Sequence, residues 1–382
     1  MSPTRHPAHT AFLLGAPYLS PPLAEHIRTH NAPVVALDEL GHRQAADHGL
    51  TLTDAQDFID DYCRSPHPPL LLSVSPQAPG WIKEHLAGTP LAAQVATLDD
   101  KVAFRNSVAD LYPDFVFRAV DPREPGKPTM LPALVKPAHG FGGAGAKKVD
   151  DEGQWYSHHR TLADEDCTVA IAESVLPGTE YAADFVLDAR RRPRLVTVLE
   201  RLSPTDNLTY LYRTDTELLA RMGRAIAHEL RRTAEHLHFV PMTGVAEYRA
   251  DEHGRLVPVE INPCRFGAWG TADVSAYAYG SDPYNHLTPN EPTLVGPRAH
   301  RTSHLVAFVD RPYPPPLTVQ HDLLAPTACE TDEIRPVDHT SWPFLAALFM
   351  HTTNPDDYDR TVETLRRGAP KEALADHDRR TP

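Results

Sequence analysis

Short apolar runs alternate with amphipathic stretches of helical length over the first hundred residues. The runs AFLLG from Ala11, APVVALD from Ala32 and PLLLSVS from Pro69 predict strands, and LAEHIRTH, AQDFIDDYC and WIKEHLAG predict helices. Strands that alternate with helices indicate a parallel sheet with crossover helices. We therefore predict an α/β domain over residues 1–98, in which the Ala11 run is the first strand rather than a signal peptide.

Hairpins and strand pairs follow this alternating region. The stretch DDKVAFRNSVADLY from Asp99 predicts a helix, and ALVKP, KKV, TVAIAE, TEYAADFVLD and RLVTVLE predict strands. A long amphipathic helix from about Thr216 to Leu237 precedes two strands, GVAEYRA and LVPVEIN, joined by a turn at residues 251–254. This order of elements indicates an α+β region after the first domain.

The composition changes beyond about Thr288, where proline-rich connections become frequent. Within this part HLVAFVD predicts a strand, PFLAALFMH from Pro343 predicts an apolar helix, and the last fifteen or so residues have the composition of disordered chain. We treat residues 291–382 as a C-terminal extension whose role the sequence leaves open.

Length and charge narrow the classes of partner. The 382 residues suit two or three domains, and a formal net charge of -14 argues against general binding to nucleic acid or to an anionic membrane. The four cysteines form no CxxC pair, which fits a reducing cytoplasm better than a disulfide scaffold. No run reaches the roughly 18 apolar residues of a membrane span. A cytoplasmic protein that acts on small molecules is the expectation.

The first candidate motif is a lysine followed by a glycine-dense loop. Lys136 ends a predicted strand, and four of the six residues from Gly140 to Gly145 are glycine. Glycines let backbone N–H groups approach phosphate oxygens, and the lysine supplies a positive charge for the same anion. It is not a P-loop, because GxxxxGK[ST] is absent. A flexible surface hairpin is the alternative.

The second candidate lies on the predicted hairpin. A turn centred between residues 252 and 253 would place Glu247, Glu260 and Asn262 on one face of the two strands. Two carboxylates and an amide oxygen that converge in this way suit Mg²⁺ bound together with phosphates. The alternative is a solvated hairpin face that carries two glutamates.

The third candidate is the segment from Glu173 to Glu180, in which a short turn separates two strands. The exposed backbone of the turn at Val175 and Leu176 could hydrogen-bond an adenine edge, with an acid at each end for the amino group and the ribose hydroxyls. An ordinary β-turn flanked by charges explains the same residues.

Together, the order of these motifs resembles the ATP-grasp superfamily over roughly Asp99 to Gly280. The hairpin that carries Glu247, Glu260 and Asn262, called the metal hairpin below, ends in the pattern ExNxxR. The resemblance implies an N-terminal Rossmann-like α/β domain and two α+β lobes that clamp ATP. The small lobe with its glycine-rich lid would span residues 99–172, and the large lobe with the metal site would span residues 173–290.

The resemblance also implies roles for individual residues. Adenine would be held by Glu173, Val175 and Leu176 and ribose by Glu180, while two lysines and three lid glycines would contact the phosphates. The nucleotide-binding set is therefore Lys101, Lys136, Gly142, Gly143, Gly145, Glu173, Val175, Leu176 and Glu180.

The same resemblance assigns the metal and the chemistry. Glu247, Glu260 and Asn262 would bind one or two Mg²⁺, with Mn²⁺ as a substitute, and Arg265 and Lys136 would act on the transferring phosphoryl group. A further cation between the turn and the hairpin could be Arg201 or Arg213, and the sequence does not choose between them.

The implied activity is that of an ADP-forming ligase that joins a small carboxylic acid to an amine through an acyl phosphate. Dipeptide-forming members come closest to ExNxxR, which favours amino acids as substrates. A phosphotransferase on the same fold and a non-catalytic ATP-binding protein are the alternatives. A homodimer is compatible with the resemblance.

Overall fold

The structure is a computed structural model and describes residues 10–15, 18–140, 143–202, 208–280, 282–287, 303–310, 329–336 and 344–367. Gly142 of the predicted lid lies outside the described residues. So does the tail from residue 368 onward, for which the sequence predicts disorder.

The N-terminal part is a small parallel sheet covered by helices, as predicted. Strand β1 (Thr10–Leu14) lies between β2 (Val34–Ala36) and β3 (Leu70–Ser73), and both neighbours pair with it in parallel. The helices are α1 (Pro21–His30), α2 (Glu39–Asp47), α3 (Ala55–Arg64), α4 (Ala78–His85) and α5 (Pro90–Asp99). Two of them, α2 and α5, are absent from the predicted elements, although Leu91, Val95 and Leu98 of α5 have helical spacing.

A four-stranded antiparallel sheet forms the second layer, with the order β4-β7-β5-β6. Its elements are α6 (Lys101–Val108), β4 (Phe117–Val120), β5 (Ala133–Pro137), β6 (Lys147–Val149), α7 (Glu152–Asp164) and β7 (Ala170–Ser174). The Asp100 side chain caps α6 by accepting hydrogen bonds from the backbone N–H groups of residues 102 and 103. This cap fixes Lys101 as the first residue of the helix.

The third sheet is the largest. Its elements and the surrounding helices are β8 (Glu180–Leu187), β9 (Pro193–Leu195), β10 (Leu199–Leu202), β11 (Leu208–Thr214), α8 (Thr216–His236), β12 (Met242–Ala250), β13 (Leu256–Pro263), α9 (Val274–Tyr279), β14 (Ser303–Asp310), β15 (Glu330–Pro336), β16 (Phe344–Thr352) and α10 (Pro355–Arg367). In the described part of the chain the strand order is β13-β12-β8-β10-β11-β14-β16-β15, and β9 pairs with β8. The run RLVTVLE, predicted as one strand, is therefore divided between β9 and β10.

The prediction of a helix from Pro343 is wrong, because these residues form β16. Strand β16 lies between β14 and β15. Phe349 packs on one face of the sheet with Val306, and Met350 packs on the other with Leu305. A strand buried on both faces reads as a continuous apolar run, which periodicity cannot distinguish from a buried helix.

One hydrophobic cluster joins the N-terminal part to the large sheet and includes Leu13, Val95, Phe104, Phe185 and Ile226. The predicted limit between residues 172 and 173 falls inside β7, and the domain limits stay predictions. Over the described residues, no helix has both the length and the apolar character that a membrane span requires.

Candidate functional site

A cavity of about 220 Å³ lies between the four-stranded sheet and the large sheet, and Val74 and Pro76 of the loop after β3 also line it. Four cations reach its wall, namely Lys101, Lys136, Arg201 and Arg265. Four carboxylates do the same, namely Glu180, Asp184, Glu247 and Glu260. Such a concentration of opposite charges in one cleft is typical of a functional site.

The β12–β13 hairpin brings the predicted metal ligands together. Glu247 pairs directly with Glu260, whereas the predicted turn centre would have placed it opposite residue 258. A register irregularity lies next to Glu247 in this hairpin. The partner of Glu247 is therefore displaced by two residues from the predicted one. Because an even displacement keeps side chains on the same face, the prediction of a shared face for Glu247, Glu260 and Asn262 is confirmed.

The two glutamates form an electrostatically unfavourable pair. Burial, together with the charges of Glu260 and Glu180, raises the pKa of Glu247 to about 7, although Arg201 and Arg265 oppose the shift. The Nζ of Lys101 is 3.8 Å from Oε2 of Glu260 and compensates only part of the negative charge. A hard divalent cation would neutralise the pair.

The donor set fits such a cation. It consists of two carboxylates and the Oδ1 of Asn262, which accepts a hydrogen bond of 2.7 Å from Nη2 of Arg265. Within the described ranges, no group of three His, Cys, Asp or Glu side chains is arranged to hold a metal ion. Oxygen ligation by few protein groups suits Mg²⁺, which keeps several water or phosphate ligands. Metal binding by these residues stays a prediction.

The two predicted lysines are both held in place by protein groups. Lys101 donates a 2.8 Å hydrogen bond to the carbonyl oxygen of Gly140, so it connects α6 to the start of the glycine loop. Lys136, at the end of β5, places its Nζ 2.6 Å from Oε1 of Glu173. Both side chains are largely buried and line the cavity. Their positive charges are therefore fixed before any ligand binds.

Described residues of the glycine loop, among them Gly140 and Ala144, line the cavity. Gly143 and Gly145 have φ angles of 69° and 68°, a left-handed conformation that favours glycine. Gly143 lines the cavity, whereas Gly145 packs against Pro137 and α7. The carbonyl oxygen of Gly145 is 3.0 Å from Nε2 of the buried His158, which anchors the loop to α7.

The residues predicted for adenine lie elsewhere than the cavity wall. Glu173 is buried between Arg105 and Lys136, with 3.0 Å between its Oε2 and Nε of Arg105. Val175 and Leu176 line a separate cavity of about 570 Å³ beside α8 and the hairpin turn. The structure thus does not bring these three side chains into the cleft, and their predicted contact with adenine stays untested.

Glu180 lines the cleft and makes an ion pair with Arg201, in which Nη1 is 2.7 Å from Oε1. Arg213 instead pairs with Glu200 and stacks on the ring of Tyr358. Of the two arginines that the sequence leaves open, Arg201 is the one in the cleft wall.

Arg105 is a buried residue that the sequence analysis missed. Its Nη1 and Nη2 donate to the carbonyl oxygens of Pro258 and Val259 at 2.7 and 2.6 Å, beside the register shift that precedes Glu260. It also holds Glu173, whose pKa burial alone would raise but which the charges of Arg105 and Lys136 lower. The signal for Arg105 in the sequence is its position four residues after Lys101, which places both side chains on one face of the helix.

Asp184 is the second missed residue. It stands two and four residues beyond Ala182 and Glu180 on β8, so the three share one face, and all line the cleft. Its carboxylate accepts 2.6 Å hydrogen bonds from Oγ1 of Thr197 and from the backbone N–H of Gly267. Burial raises the pKa of Asp184 to about 6, although these hydrogen bonds oppose the shift.

Comparisons with known proteins identify a known domain family and similar folds. Residues 129–273 match the family described as ATP-grasp domain. The whole chain resembles an L-amino acid ligase from Bacillus licheniformis, with 14% identity, a TM-score of 0.61 and coverage of 93% of this chain and 96% of that chain. A search of curated proteins by sequence found no match.

Two N5-carboxyaminoimidazole synthetase structures are similarly related. The one from Staphylococcus aureus, complexed with ADP, has 11% identity and a TM-score of 0.62, and covers 94% of this chain and 97% of that chain. The ribonucleotide synthetase from Thermus thermophilus has 16% identity and a TM-score of 0.59, with coverage of 94% and 98%. Likeness at these identities shows the fold, and the family match over residues 129–273 identifies an ATP-grasp domain in this chain.

Proposed function

We propose that the chain is an ATP-dependent ligase that joins a small carboxylic acid to an amine and releases ADP and phosphate. One observation carries the proposal: the cross-strand pair Glu247 and Glu260 stands beside Asn262 and Arg265 in a cleft lined by two buried lysines. This arrangement supplies cation ligands and positive charge at one place, which is what phosphoryl transfer from ATP requires.

Strand β8 runs along the cleft wall, to which it contributes Glu180, Ala182 and Asp184. Of the β8 residues in the cleft wall, Glu180 and Asp184 are the outermost, and their Cα atoms are roughly 13 Å apart at about 3.3 Å per residue. Glu247 pairs with Ala182, midway between them. We therefore assign the ribose to the Glu180 end, the phosphates to the middle and the carboxylic acid to the end near Asp184 and Arg265.

Each charged group then has a defined task. Lys101 and Lys136 hold the phosphates of ATP, and Arg265, fixed by Asn262, faces the phosphoryl group as it moves to the acid. One or two Mg²⁺ ions held by Glu247, Glu260 and Asn262 would neutralise phosphate oxygens. Catalysis of this kind depends on positioning and electrostatic stabilisation, since no protein nucleophile is needed.

The reaction has two steps. An oxygen of the substrate carboxylate attacks the γ-phosphorus, the bond to the β,γ-bridging oxygen breaks, and ADP leaves. The neutral amine then attacks the carbonyl carbon of the acyl phosphate, the C–O bond to phosphate breaks, and the amine loses a proton to phosphate or water. The products are an amide, ADP and phosphate.

Amino acids are the substrates that we propose for this site. The Bacillus licheniformis structure of the same fold is described as an L-amino acid ligase. In this chain, Arg265 offers a cation for a carboxylate, and Asp184 supplies a negative charge at the same end of the cleft.

The test is ATP turnover by the purified full chain with Mg²⁺ and pooled amino acids and small acids, with ADP and AMP separated and new masses followed. ADP that accumulates together with a condensed product, and that depends on both acid and amine, is the expected result. A phosphorylated acceptor without an amine requirement would instead identify a phosphotransferase, and AMP would contradict the mechanism. The variant Glu260→Gln is the control for contaminating ATPases.

A further inference from the structure

Arg335, in the C-terminal part of the chain, contacts a segment that contributes residues to the cleft wall. Arg335, on β15, is 1% exposed, and its guanidinium carbon lies 4.2 Å from the centre of the Phe349 ring. Two hydrogen bonds of 2.8 and 2.7 Å join it to the carboxylate of Glu333. The side chain is therefore held within the C-terminal strands, by Glu333 of its own strand and by the Phe349 ring of β16.

From this position Arg335 contacts Gly270 and Asp273, which belong to the segment of residues 264–273 that follows the metal hairpin. Its Nη1 is 2.9 Å from Oδ2 of Asp273 and donates a 3.2 Å hydrogen bond to the carbonyl oxygen of Gly270. Gly270 has a φ angle of 67°, and a Cβ at this residue would collide with the guanidinium. The guanidinium thus packs directly on the backbone of the segment.

The contacted segment forms the proposed acid-binding end of the cleft. Arg265, Gly267 and Thr271 belong to it and line the cavity. Its first part is held by Asp184, which accepts a hydrogen bond from the N–H of Gly267. Its second part has Arg335 as a charged anchor. Asp273 also accepts a 2.7 Å hydrogen bond from Oη of Tyr284, so loss of Arg335 would loosen residues 268–273 relative to the hairpin without detaching them.

We infer that Arg335 is a positioning residue that sets the shape of the acid-binding end, and that this is a function of the C-terminal extension. The inference rests on the proposed ligase activity for its kinetic consequence. It predicts that a change at Arg335 affects the acid more than ATP, because Glu180, Lys101 and Lys136 lie outside the contacted segment.

Three variants separate positioning from stability. Arg335→Met removes the charge and keeps an unbranched apolar stem in place of the arginine methylenes, and Arg335→Lys keeps the charge without the two-pronged geometry. Met350→Ala is the matched control, since Met350 is buried on the opposite face of the neighbouring strand with Leu211 and Leu305. It weakens the same part of the sheet and leaves Arg335 in place.

For Arg335→Met we expect the KM for the acid to rise about tenfold or more, as misplacement of binding groups implies, while the KM for ATP changes less than about threefold. Arg335→Lys should show the same split at smaller size, and it decides the question if Arg335→Met does not fold. Met350→Ala should lower the Tm with both KM values unchanged. Equal changes in the two KM values, or a Met350→Ala variant that reproduces the split, would overturn the inference.

Hydrogen–deuterium exchange gives a second readout that needs no turnover. Arg335→Met should speed exchange in peptides that cover residues 264–273 selectively, whereas Met350→Ala should speed it in β14–β16. If the wild-type chain shows no ATP turnover, the proposed function fails, and the exchange result alone decides whether Arg335 holds the segment. Unchanged exchange at residues 264–273 in both Arg335 variants would refute the anchoring role.

Discussion

Glu247 on β12 and Glu260 on β13 are direct cross-strand partners, so two carboxylates of like charge face each other in the wall of the cleft. Like charges at directly opposite positions destabilise a strand pair. The pair is therefore best explained by a ligand that carries positive charge, and the predictions on metal and pH follow from it.

Removing one carboxylate should impair turnover more than nucleotide binding. We expect Glu260→Gln to lower kcat about 100-fold or more, the loss typical of a missing electrostatic stabiliser, while the Kd for ATP without metal changes by no more than a few-fold. Glu252→Gln, at the exposed turn of the same hairpin, is the matched control and should behave like the wild type. A near-normal rate for Glu260→Gln would remove the metal assignment.

The raised pKa of Glu247 makes the stability of the metal-free chain depend on pH. Between the ordinary glutamate pKa of about 4.3 and the folded value of about 7, the folded state binds more protons than the unfolded state. The free energy of unfolding contributed by this group therefore falls as pH rises through that window. Above the window the loss is complete, and below it the loss is absent.

Urea unfolding at pH 5.5 and pH 7.5, without metal, measures this effect as the difference between wild type and Glu247→Gln. The variant should be relatively more stable at the higher pH, and added Mg²⁺ should reduce that advantage. Equal pH dependence of the two proteins would show that Glu247 does not titrate in this range.

The two arginines that the sequence could not rank should behave differently. Because Arg201 lies in the cleft wall and pairs with Glu180, Arg201→Met should raise the KM for ATP about tenfold, the cost of a lost charged hydrogen bond. Arg213→Met loses a comparable ion pair, with Glu200, but should leave that KM unchanged. Steady-state kinetics of the two variants at matched stability decide the assignment.

Gly145 should be needed for the shape of the glycine loop that lines the cleft. A Cβ there would lie 2.9 Å from Cγ of Pro137, and the φ angle of 68° adds about 1 kcal/mol of strain for a non-glycine residue. Gly145→Ala should therefore weaken ATP binding as well as stability. Gly126→Ala is the control, since its φ angle is 60° and a Cβ at Gly126 would meet no atom within 4 Å. ATP titration calorimetry should find weaker binding only in Gly145→Ala.

Local patterns predicted the parts of the site that lie on one element or one hairpin. Alternation placed Glu247 and Glu260 on the same face, and a lysine before glycines marked the loop at Lys136. The register itself could not be predicted, because the irregularity next to Glu247 leaves no trace in the apolar pattern.

Side-chain contacts between distant segments could not be predicted from the sequence. Glu173 looks like a free acid at a strand end, yet Arg105, from a helix that begins at Lys101, occupies its carboxylate. The ion pair of Arg335 with Asp273 likewise joins segments separated by more than sixty residues, and local sequence patterns do not predict such a pair. The strand at β16 was misassigned for the same reason, since its neighbours decide its conformation.

The single large sheet has a consequence for how the protein can be divided. Strand β11 pairs with β14, so the hairpin with the two glutamates and the C-terminal strands belong to one hydrogen-bonded sheet. A chain shortened before residue 303 would expose the backbone N–H and C=O groups of β11, together with the apolar side chain of Leu211. Exposed edges of this kind recruit strands from other molecules. The ATP-grasp domain of residues 129–273 would then self-associate instead of acting as an independent nucleotide-binding module.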